Sequence, residues 1–161
     1  MTDDYGHLPA DAAPDAPSPT RHKFEVDEAF SITEFGFNVF VADPGQRLPW
    51  GTHSHPDHEE LFYVIEGQVS FETPDREYVV EAGEVFFVPR DHPQKGVAVG
   101  DVPARVVAVG APKATDDAVI EEECPECGEM TGRTFDEEDG AYLLYCAECG
   151  EQVDRLVSGP E

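Results

Sequence analysis

Two matched pairs of cysteines constrain the C-terminal part of this chain more than any other feature of its sequence. The first pair lies in Cys124-Pro-Glu-Cys127-Gly and the second in Cys146-Ala-Glu-Cys149-Gly. Eighteen residues separate Cys127 from Cys146. Two residues between cysteines allow both thiolates to reach one ion from a single tight turn, and the following glycine permits a positive φ. Four thiolates complete a tetrahedral shell around Zn²⁺ and leave no open coordination position. The spacing therefore predicts a structural zinc site, with two disulfides or free thiols as the alternative.

The residues between the two pairs predict two strands, 133–135 and 141–145, around an acidic turn at 136–140. This layout resembles a zinc ribbon over residues 123–157. Twelve acidic residues lie between Glu121 and Arg155, and only Arg133 and Arg155 oppose them. Because a phosphate backbone needs clustered Lys and Arg, nucleic acid is not expected as a partner. We expect the ribbon to support the structure or to contact a protein partner.

The charge of the whole chain is strongly negative, since 35 Asp and Glu face 10 Lys and Arg for a formal net charge of -25. In dilute salt the many acidic side chains repel one another. In 1 M salt the Debye length shortens to about 3 Å, and this repulsion is screened. The composition resembles that of cytoplasmic proteins from salt-accumulating microbes of haloarchaeal type, with an acidic surface for a basic partner as the alternative. The longest apolar runs, such as 61–65, have strand length, so no membrane span is expected. No secretory signal is recognisable at the N-terminus, and a cytoplasmic location is expected.

Composition divides the rest of the chain into segments. Residues 1–22 carry several prolines among Ala, Asp and Ser and predict a disordered tail. Residues 23–111 contain short runs rich in Val, Phe and Tyr between turn signals, and the runs read as strands are FEVDEAF, FNVFV, ELFYVIE, VSFET, EYVVE, VFFVP and ARVVAV. This pattern predicts an all-β sandwich or barrel. Residues 112–122 are polar and predict a linker to the ribbon.

A second constellation lies inside the predicted barrel. His53 and His55 are two residues apart, so on a strand they point to the same face. A turn around Pro56 and Asp57 can bring Glu60, at the start of the next strand, beside the two imidazoles. Two histidines and one carboxylate leave open coordination positions, an arrangement suited to Fe(II) and related metals. These three residues are the predicted ligands of a barrel metal.

The spacing of these residues resembles the first motif of the cupin superfamily: HxH, four residues, Glu, six residues, Gly, which His53, His55, Glu60 and Gly67 satisfy. The second motif is met only in part. Gly83 and Pro89 fit it, whereas three positions depart from it: Asp91 for a glycine, Gln94 for the last metal-binding histidine and Ala98 for an asparagine. The resemblance covers residues 24–111, a single small cupin domain.

The resemblance implies a jelly-roll barrel that holds a divalent transition metal such as Fe, Mn, Ni or Zn, and it implies a homodimer. It also places Gln94 as a fourth ligand through its carbonyl oxygen, a weaker donor than imidazole. His58 and His92 are candidates for a substitute ligand, and His58, Glu59 and His92 are candidates for groups that support the ligands. The alternative is a barrel whose histidines line an empty or ligand-filled pocket.

Three functions are compatible with these features. The first is a small-molecule-binding or regulatory protein, the second a metal-dependent enzyme of dioxygenase or isomerase type, and the third an interaction module acting through the ribbon. No catalytic group beyond the metal ligands is evident. The residues expected to narrow the barrel interior are Phe62, Val64, Phe86 or Phe87, and Val88, and Trp50 is expected either at the barrel mouth or in the core.

Overall fold

A computed structural model describes residues 4–159 of the chain. A tenth strand, given below, completes the barrel, and nine strands form most of it: β1 His22–Glu25, β2 Gly36–Ala42, β3 Arg47–Ser54, β4 Glu59–Glu66, β5 Gln68–Glu72, β6 Glu77–Glu81, β7 Val85–Val88, β8 Gln94–Val99 and β9 Ala104–Ala111. Six shorter or C-terminal strands follow: β10 Val119–Ile120, β11 Glu122–Glu123, β12 Met130–Thr131, β13 Arg133–Glu138, β14 Ala141–Cys146 and β15 Gln152–Leu156. The helical elements are α1 Val26–Phe30 and two 3-10 turns, Ala10–Ala12 and Lys113–Thr115.

Two five-stranded antiparallel sheets pack face to face, with strand orders β1-β2-β9-β4-β7 and β10-β3-β8-β5-β6. Their inner faces meet in one apolar core, where the Phe71 ring lies 4.9 Å from Phe62 and 4.4 Å from Phe86 between centroids. Side chains alternate along each strand, so Phe62 and Val64 point inward and are buried. This architecture confirms the predicted all-β barrel with a jelly-roll layout. Phe86 is the residue that packs on the core, whereas Phe87 is half exposed.

The run FEVDEAF does not form one strand, contrary to the sequence prediction. β1 ends at Glu25 and α1 begins at Val26. Asp27 is buried in this helix and pairs with Lys113, whose Nζ lies 2.8 Å from its carboxylate. A short apolar run does not distinguish helix from strand by its period, and here a distant ion pair supports the helix.

The described part of the predicted disordered tail, residues 4–21, packs against the barrel, and residues 1–3 lie outside the described residues. Ala13 joins Phe24 and Val39 in a second apolar cluster on the outer face of β1 and β2. Bridges pair Asp15 with Phe24 and Ser18 with Val157. Composition failed here because a few small apolar side chains suffice to cover a sheet face that would otherwise meet water.

The predicted linker also belongs to the barrel. β10 extends the second sheet by pairing with β3, where Ile120 lies opposite His53 and Val119 opposite Ser54. The polar residues around it conceal this short strand, because a two-residue apolar pair carries no detectable period. The chain therefore passes from barrel to ribbon without a free spacer.

The C-terminal segment forms a small ribbon of three antiparallel strands, β13-β14-β15, beside the pair β11-β12. The first two strands were predicted, but β13 continues through Glu138, so the acidic turn is shorter than expected. β15 was not predicted. Trp50 of the barrel contacts this ribbon, with ring centroids 5.3 Å from Phe135 and 5.8 Å from Tyr142. An ion pair between Arg47 and Asp154 adds a second contact. Within residues 4–159, no helix has the length and apolarity that a membrane span requires.

Candidate metal centres and the cavity between barrel and ribbon

His53, His55 and Glu60 converge inside the barrel. His53 lies on β3, His55 follows directly after that strand, and Glu60 is the second residue of β4. The Oε1 atom of Glu60 lies 2.5 Å from His55 Nε2 and 3.8 Å from His53 Nε2. The three ligand atoms are all within 4.8 Å of one another. Two donor atoms at about 2.1 Å from one ion and at right angles are about 3 Å apart, so these distances fit a shared metal.

Each histidine is oriented by a partner on its other nitrogen. His53 Nδ1 lies 2.8 Å from the carbonyl oxygen of Gly51, and His55 Nδ1 lies 3.1 Å from a carboxylate oxygen of Asp116. Because the Gly51 carbonyl can only accept a hydrogen bond, His53 Nδ1 donates to it and His53 Nε2 keeps a lone pair for a ligand. The contact of His55 Nδ1 with Asp116 is an ion pair without hydrogen-bond geometry. Oriented imidazoles of this kind are typical of metal sites.

Burial and neighbouring charges act in opposite directions on the pKa values of Glu60 and His55. Burial alone would raise the pKa of Glu60, but the neighbouring imidazoles of His53 and His55 hold that pKa well below its usual range. Burial alone would lower the pKa of His55, but the carboxylates of Asp116 and Glu60 outweigh it and raise that pKa. Glu60 is thus kept as a carboxylate, the form that binds a cation.

Gln94 lies at the same site because β8 pairs with β3 so that Gln94 is directly opposite His53. Its side chain is buried, with Nε2 3.3 Å from His53 Nε2 and with Oε1 lacking a hydrogen-bond partner among the described residues. A half-turn of the amide exchanges these two atoms and aims the oxygen at the site. A fourth ligand role for Gln94 fits this geometry and stays a prediction.

Asp116 is a member of the site that the sequence did not indicate. It follows the second 3-10 turn and reaches His55 and, at 3.7 Å from Nε2, the buried His58. His58 is held through Nδ1, 2.9 Å from the carbonyl oxygen of Pro112, so it contacts His55 and not Glu60. No spacing rule links Asp116 to residues some sixty positions earlier, and no local signal identifies it.

Two of the proposed supporting groups lie elsewhere. Glu59 is exposed, because successive residues of β4 point to opposite faces and Glu60 takes the inner one. His92 is also exposed, with its ring Nδ1 2.7 Å from the carbonyl oxygen of Arg90. The predicted roles of Glu59 and His92 beside the ligands are therefore wrong, and only His58 of the three approaches the site.

A cavity of about 380 Å³ adjoins the three predicted ligands. Its barrel wall includes Asn38, Phe40 and Phe62, and Trp50 stands at the junction with the ribbon. The ribbon contributes side chains to the same wall, namely Arg133, Phe135 and Tyr142. The volume is in the range of small-molecule sites, and the ribbon is part of its boundary. Trp50 therefore borders the cavity, which settles its placement.

The four cysteines form a second candidate centre in the ribbon. Their sulfur atoms lie within 4.8 Å of one another, with Sγ–Sγ distances of 3.7 Å for Cys124 and Cys149 and 4.0 Å for Cys127 and Cys146. Sulfurs bound to one zinc at about 2.3 Å in a tetrahedron are about 3.8 Å apart, whereas a disulfide needs about 2.05 Å. The arrangement can therefore hold a metal ion, and the sulfurs are unbridged.

The two cysteine turns have matching backbone geometry. The amide of Gly128 donates to the carbonyl of Cys124 at 2.8 Å, and that of Gly150 to Cys146 at 3.0 Å. Both glycines have a positive φ, 75° and 76°. Backbone amides also donate to sulfur, as from Cys127 to Cys124 Sγ at 3.4 Å. These turns bring each pair of thiols to one point, as the CxxCG spacing predicted.

Comparison with known proteins finds one family model that matches the barrel region. Residues 38–110 match the family model described as a cupin domain. A sugar phosphate isomerase of the cupin superfamily from Silicibacter pomeroyi is similar over 97% of this chain and 96% of its own, with a TM-score of 0.60 and 17% identity. The polyketide cyclase RemF from Streptomyces resistomycificus is similar over 68% and 81%, with a TM-score of 0.58 and 21% identity. At such identities the two solved structures show the fold alone, which agrees with the cupin domain model over residues 38–110.

Two curated relatives match shorter stretches. Protein SchB of Streptomyces halstedii is 33% identical over 69 residues, which are 43% of this chain and 49% of the relative. An uncharacterized protein of Methanocaldococcus jannaschii is 27% identical over 60 residues, 37% of this chain and 48% of the relative. The chain thus spans about half the length of the curated relatives it matches.

Proposed function

We propose that the barrel binds a divalent transition metal (Fe, Mn, Ni or Zn) through His53, His55 and Glu60, and that a small oxygen-donor molecule binds at this metal in the cavity. The observation that carries the proposal is the convergence of the three donor atoms within 4.8 Å on one wall of that cavity. A bound metal would supply a Lewis acid with open coordination positions. On this view the protein is a small-molecule-binding or regulatory cupin.

The protein's own residues have separate roles in this proposal. Glu60 supplies the negative charge that a divalent ion needs. The carbonyl of Gly51 and the carboxylate of Asp116 fix the two imidazoles, and Gln94 can present its amide oxygen. Phe40 and Phe62, both buried, give the cavity an apolar wall.

A metal-dependent enzyme of dioxygenase or isomerase type is the second candidate. The observation that favours it is that Asp116 contacts both His55 and His58, so groups able to carry a proton lie beside the proposed ligands. Similar solved structures bear the names of an isomerase and a cyclase, so the fold does not choose a reaction. Oxygen uptake or isomer formation by the iron- or manganese-loaded protein with diols and keto acids would favour catalysis, and no turnover would favour binding alone.

Manganese relaxation tests the open metal site. In molar KCl, Mn²⁺ added to protein that carries one equivalent of zinc in the ribbon and a metal-free barrel should bind with a strong enhancement of water-proton relaxation, because exchangeable water occupies the open positions. Oxalate should reduce that enhancement while Mn²⁺ stays bound. Glu60→Gln should weaken Mn²⁺ binding about 100-fold or more, since supporting groups alone contribute about 10–100-fold. The matched control is Glu59→Gln, which removes the same charge from the outer face. Equal Mn²⁺ binding by the two variants, or no response to oxalate, would contradict the proposal.

The ribbon site completes the proposed metal content. We infer that Cys124, Cys127, Cys146 and Cys149 hold Zn²⁺, because their sulfur separations match a tetrahedral tetrathiolate shell. Such a shell is closed, so the ribbon would stabilise structure. A role as a contact for a protein partner remains the third candidate function.

The outer face of β4 and β7 supports a homodimer. Leu61 lies opposite Phe87 and Tyr63 opposite Val85, and all four side chains are at least 41% exposed. The other half of this sheet face is covered by the chain's own N-terminal segment through Ala13. Apolar pairs of this size are rarely left in water, and we propose that a second copy covers them.

Sedimentation tests the dimer. The protein should sediment as a dimer at micromolar concentration, and Tyr63→Lys should produce monomers because each copy would then bury an unpaired charge. Val79→Lys, on the exposed face of β6 in the other sheet, should leave the dimer intact. Monomeric wild-type protein would rule the dimer out.

The salt-adapted, cytoplasmic character rests on composition alone and stays a proposal. It is supported by the net charge of -25. The thermal midpoint of unfolding should decrease when KCl is lowered from molar to millimolar concentration, and an unchanged midpoint would count against the proposal.

A further inference from the structure

Arg133, like Arg76, Arg90 and Arg105, takes part in none of the ion pairs found within residues 4–159, but of these four arginines only Arg133 lies on the cavity wall. Its guanidinium donates only to uncharged oxygens. Nη1 donates to the Thr131 carbonyl, the Thr131 hydroxyl and the Gly132 carbonyl at 3.2, 2.9 and 3.1 Å, and Nη2 donates to the Glu123 carbonyl at 3.2 Å. These contacts hold the side chain in place but leave its positive charge without an ion-pair partner among the described residues.

The guanidinium also keeps donors in reserve. It has five N–H groups, and the bonds above occupy both on Nη1 and one on Nη2. The Nε–H and the second Nη2–H have no acceptor among the hydrogen bonds of the described residues. A carboxylate can accept two parallel bonds from a guanidinium.

The other charged side chains on the cavity wall have partners. Lys23 Nζ lies 3.9 Å from Glu25. Glu60 contacts the two predicted histidine ligands, and Asp116 contacts His55. Arg133 is therefore the cation on this wall that has no ion-pair partner among the described residues, although Glu122, Glu123 and Asp154 line a neighbouring pocket with it. A guanidinium without an ion-pair partner is able to bind an anionic group.

Next to Arg133 the wall is aromatic. Trp50, Phe135 and Tyr142 form a cluster with ring centroids 5.3 to 5.8 Å apart. Phe135 remains 52% exposed, so the cluster offers apolar surface to a ligand. An anionic group at Arg133 thus lies beside a surface suited to a flat organic body.

The hydroxyl of Thr131 links Arg133 to the cysteine centre. It lies 2.9 Å from Arg133 Nη1 and 3.1 Å from Cys146 Sγ. Thr131 of β12 therefore contacts both a thiol of the cysteine cluster and the guanidinium. The ribbon is built into the cavity wall and does not merely support it.

We propose that the cavity binds a small organic carboxylate, whose carboxylate group is held by Arg133 of the ribbon and whose apolar body lies against Trp50, Phe135 and Tyr142. This inference deepens the proposed function by naming the class of ligand. It rests on the proposed function only in that the same ligand would also contact the barrel metal. The selectivity itself comes from the ribbon.

Fluorescence titration tests the inference, because Trp50 is the single tryptophan of the chain and lines the cavity. The probes are 4-nitrobenzoate and its neutral analogue 4-nitrobenzamide, whose nitroaromatic rings quench tryptophan emission on contact. The wild-type protein should bind the carboxylate at least about tenfold more tightly than the amide, since hydrogen bonds to a charged partner are among the strong ones. Equal affinities, or no binding of either probe at millimolar concentration, would overturn the inference.

Variants separate the anion site from general charge effects. Arg133→Gln should abolish the preference for 4-nitrobenzoate while leaving 4-nitrobenzamide affinity unchanged. Arg155→Gln removes the same charge from the ribbon outside this cavity wall and should preserve the preference. Arg133→Lys keeps the positive charge but not the paired N–H donors of the guanidinium, so it should retain part of the preference. Zinc content and circular dichroism of each variant confirm that the ribbon is folded, and a preference that survives in folded Arg133→Gln refutes the proposal.

The outcome is distinguishable from failure of the barrel metal site. In His53→Ala/His55→Ala protein the carboxylate preference should persist at reduced affinity, because the anion contact lies in the ribbon. If the wild-type barrel binds no metal but the preference for the carboxylate is still measured, the anion site is supported even though the proposed function has failed. Loss of the preference in the double variant with Arg133 intact would contradict an anion site in the ribbon.

Discussion

Replacing His53 and His55 together with alanine is expected to remove one equivalent of metal from the purified protein and to leave a second equivalent in place. The physical reason is that two of three donor atoms disappear from a buried site. Loss of a supporting hydrogen bond to a ligand already costs about 10–100-fold in metal affinity, so loss of two ligands should exceed that. Elemental analysis and a chelator competition measure both the stoichiometry and the affinity.

His92→Ala is the matched control for this double variant. His92 belongs to the same barrel but is exposed, so its removal should not change the metal content. Asp116→Asn should have an intermediate effect of about 10–100-fold, because the ligand set is kept while the support of His55 is weakened. A double variant that retains the full metal content would show that the barrel ion, if present, is bound elsewhere.

Replacing Cys146 with serine is expected to remove the other equivalent and to unfold the ribbon. Structural zinc binding contributes about 10–16 kcal/mol in comparable small domains at neutral pH. The ribbon has little else to hold it, because its buried apolar side chains beside the cysteines are only Ala141, Leu144 and Leu156 among the described residues. Cys146 is itself buried and accepts from Thr131 and from the Cys149 amide.

Amide exchange measures this effect region by region. Protection should be lost across β13, β14 and β15 and kept in β4 and β9 of the barrel. Trp50 emission should shift to the red, since its contacts with Phe135 and Tyr142 would be lost. Glu148→Gln, at an exposed position of the same cysteine turn, should preserve zinc and protection. A zinc-free ribbon that stays protected would show that packing alone holds it.

Several site residues were predictable because their signals are local. His53 and His55 share a face through the two-residue period of a strand, and each CxxCG turn brings two thiols together within five residues. Gly67 of the first motif has a φ of 73°, a conformation that suits glycine. Gln94 was placed by its position in the second motif, and the pairing of β8 with β3 puts it opposite His53.

Other residues could not be predicted because their partners are distant in sequence. Asp116 meets His55 across some sixty residues, and Arg133 reaches the cavity only because the ribbon folds back over Trp50. The N-terminal segment was wrongly expected to be disordered, since its few apolar side chains gain stability only from contact with Phe24 and Val39. Glu59 and His92 were wrong because nearness in sequence does not decide which face a side chain occupies.

The sequence by itself determined the β-rich barrel, the convergence of His53, His55 and Glu60, and the four-cysteine cluster, because strand period and turn spacing act over a few residues. Only the tertiary structure decided that Asp116 supports His55, that the ribbon forms part of the cavity wall, and that Arg133 is on that wall without an ion-pair partner among the described residues. Those contacts depend on how whole sheets and the ribbon pack. Packing is set by the summed burial of many side chains and leaves no local pattern to read.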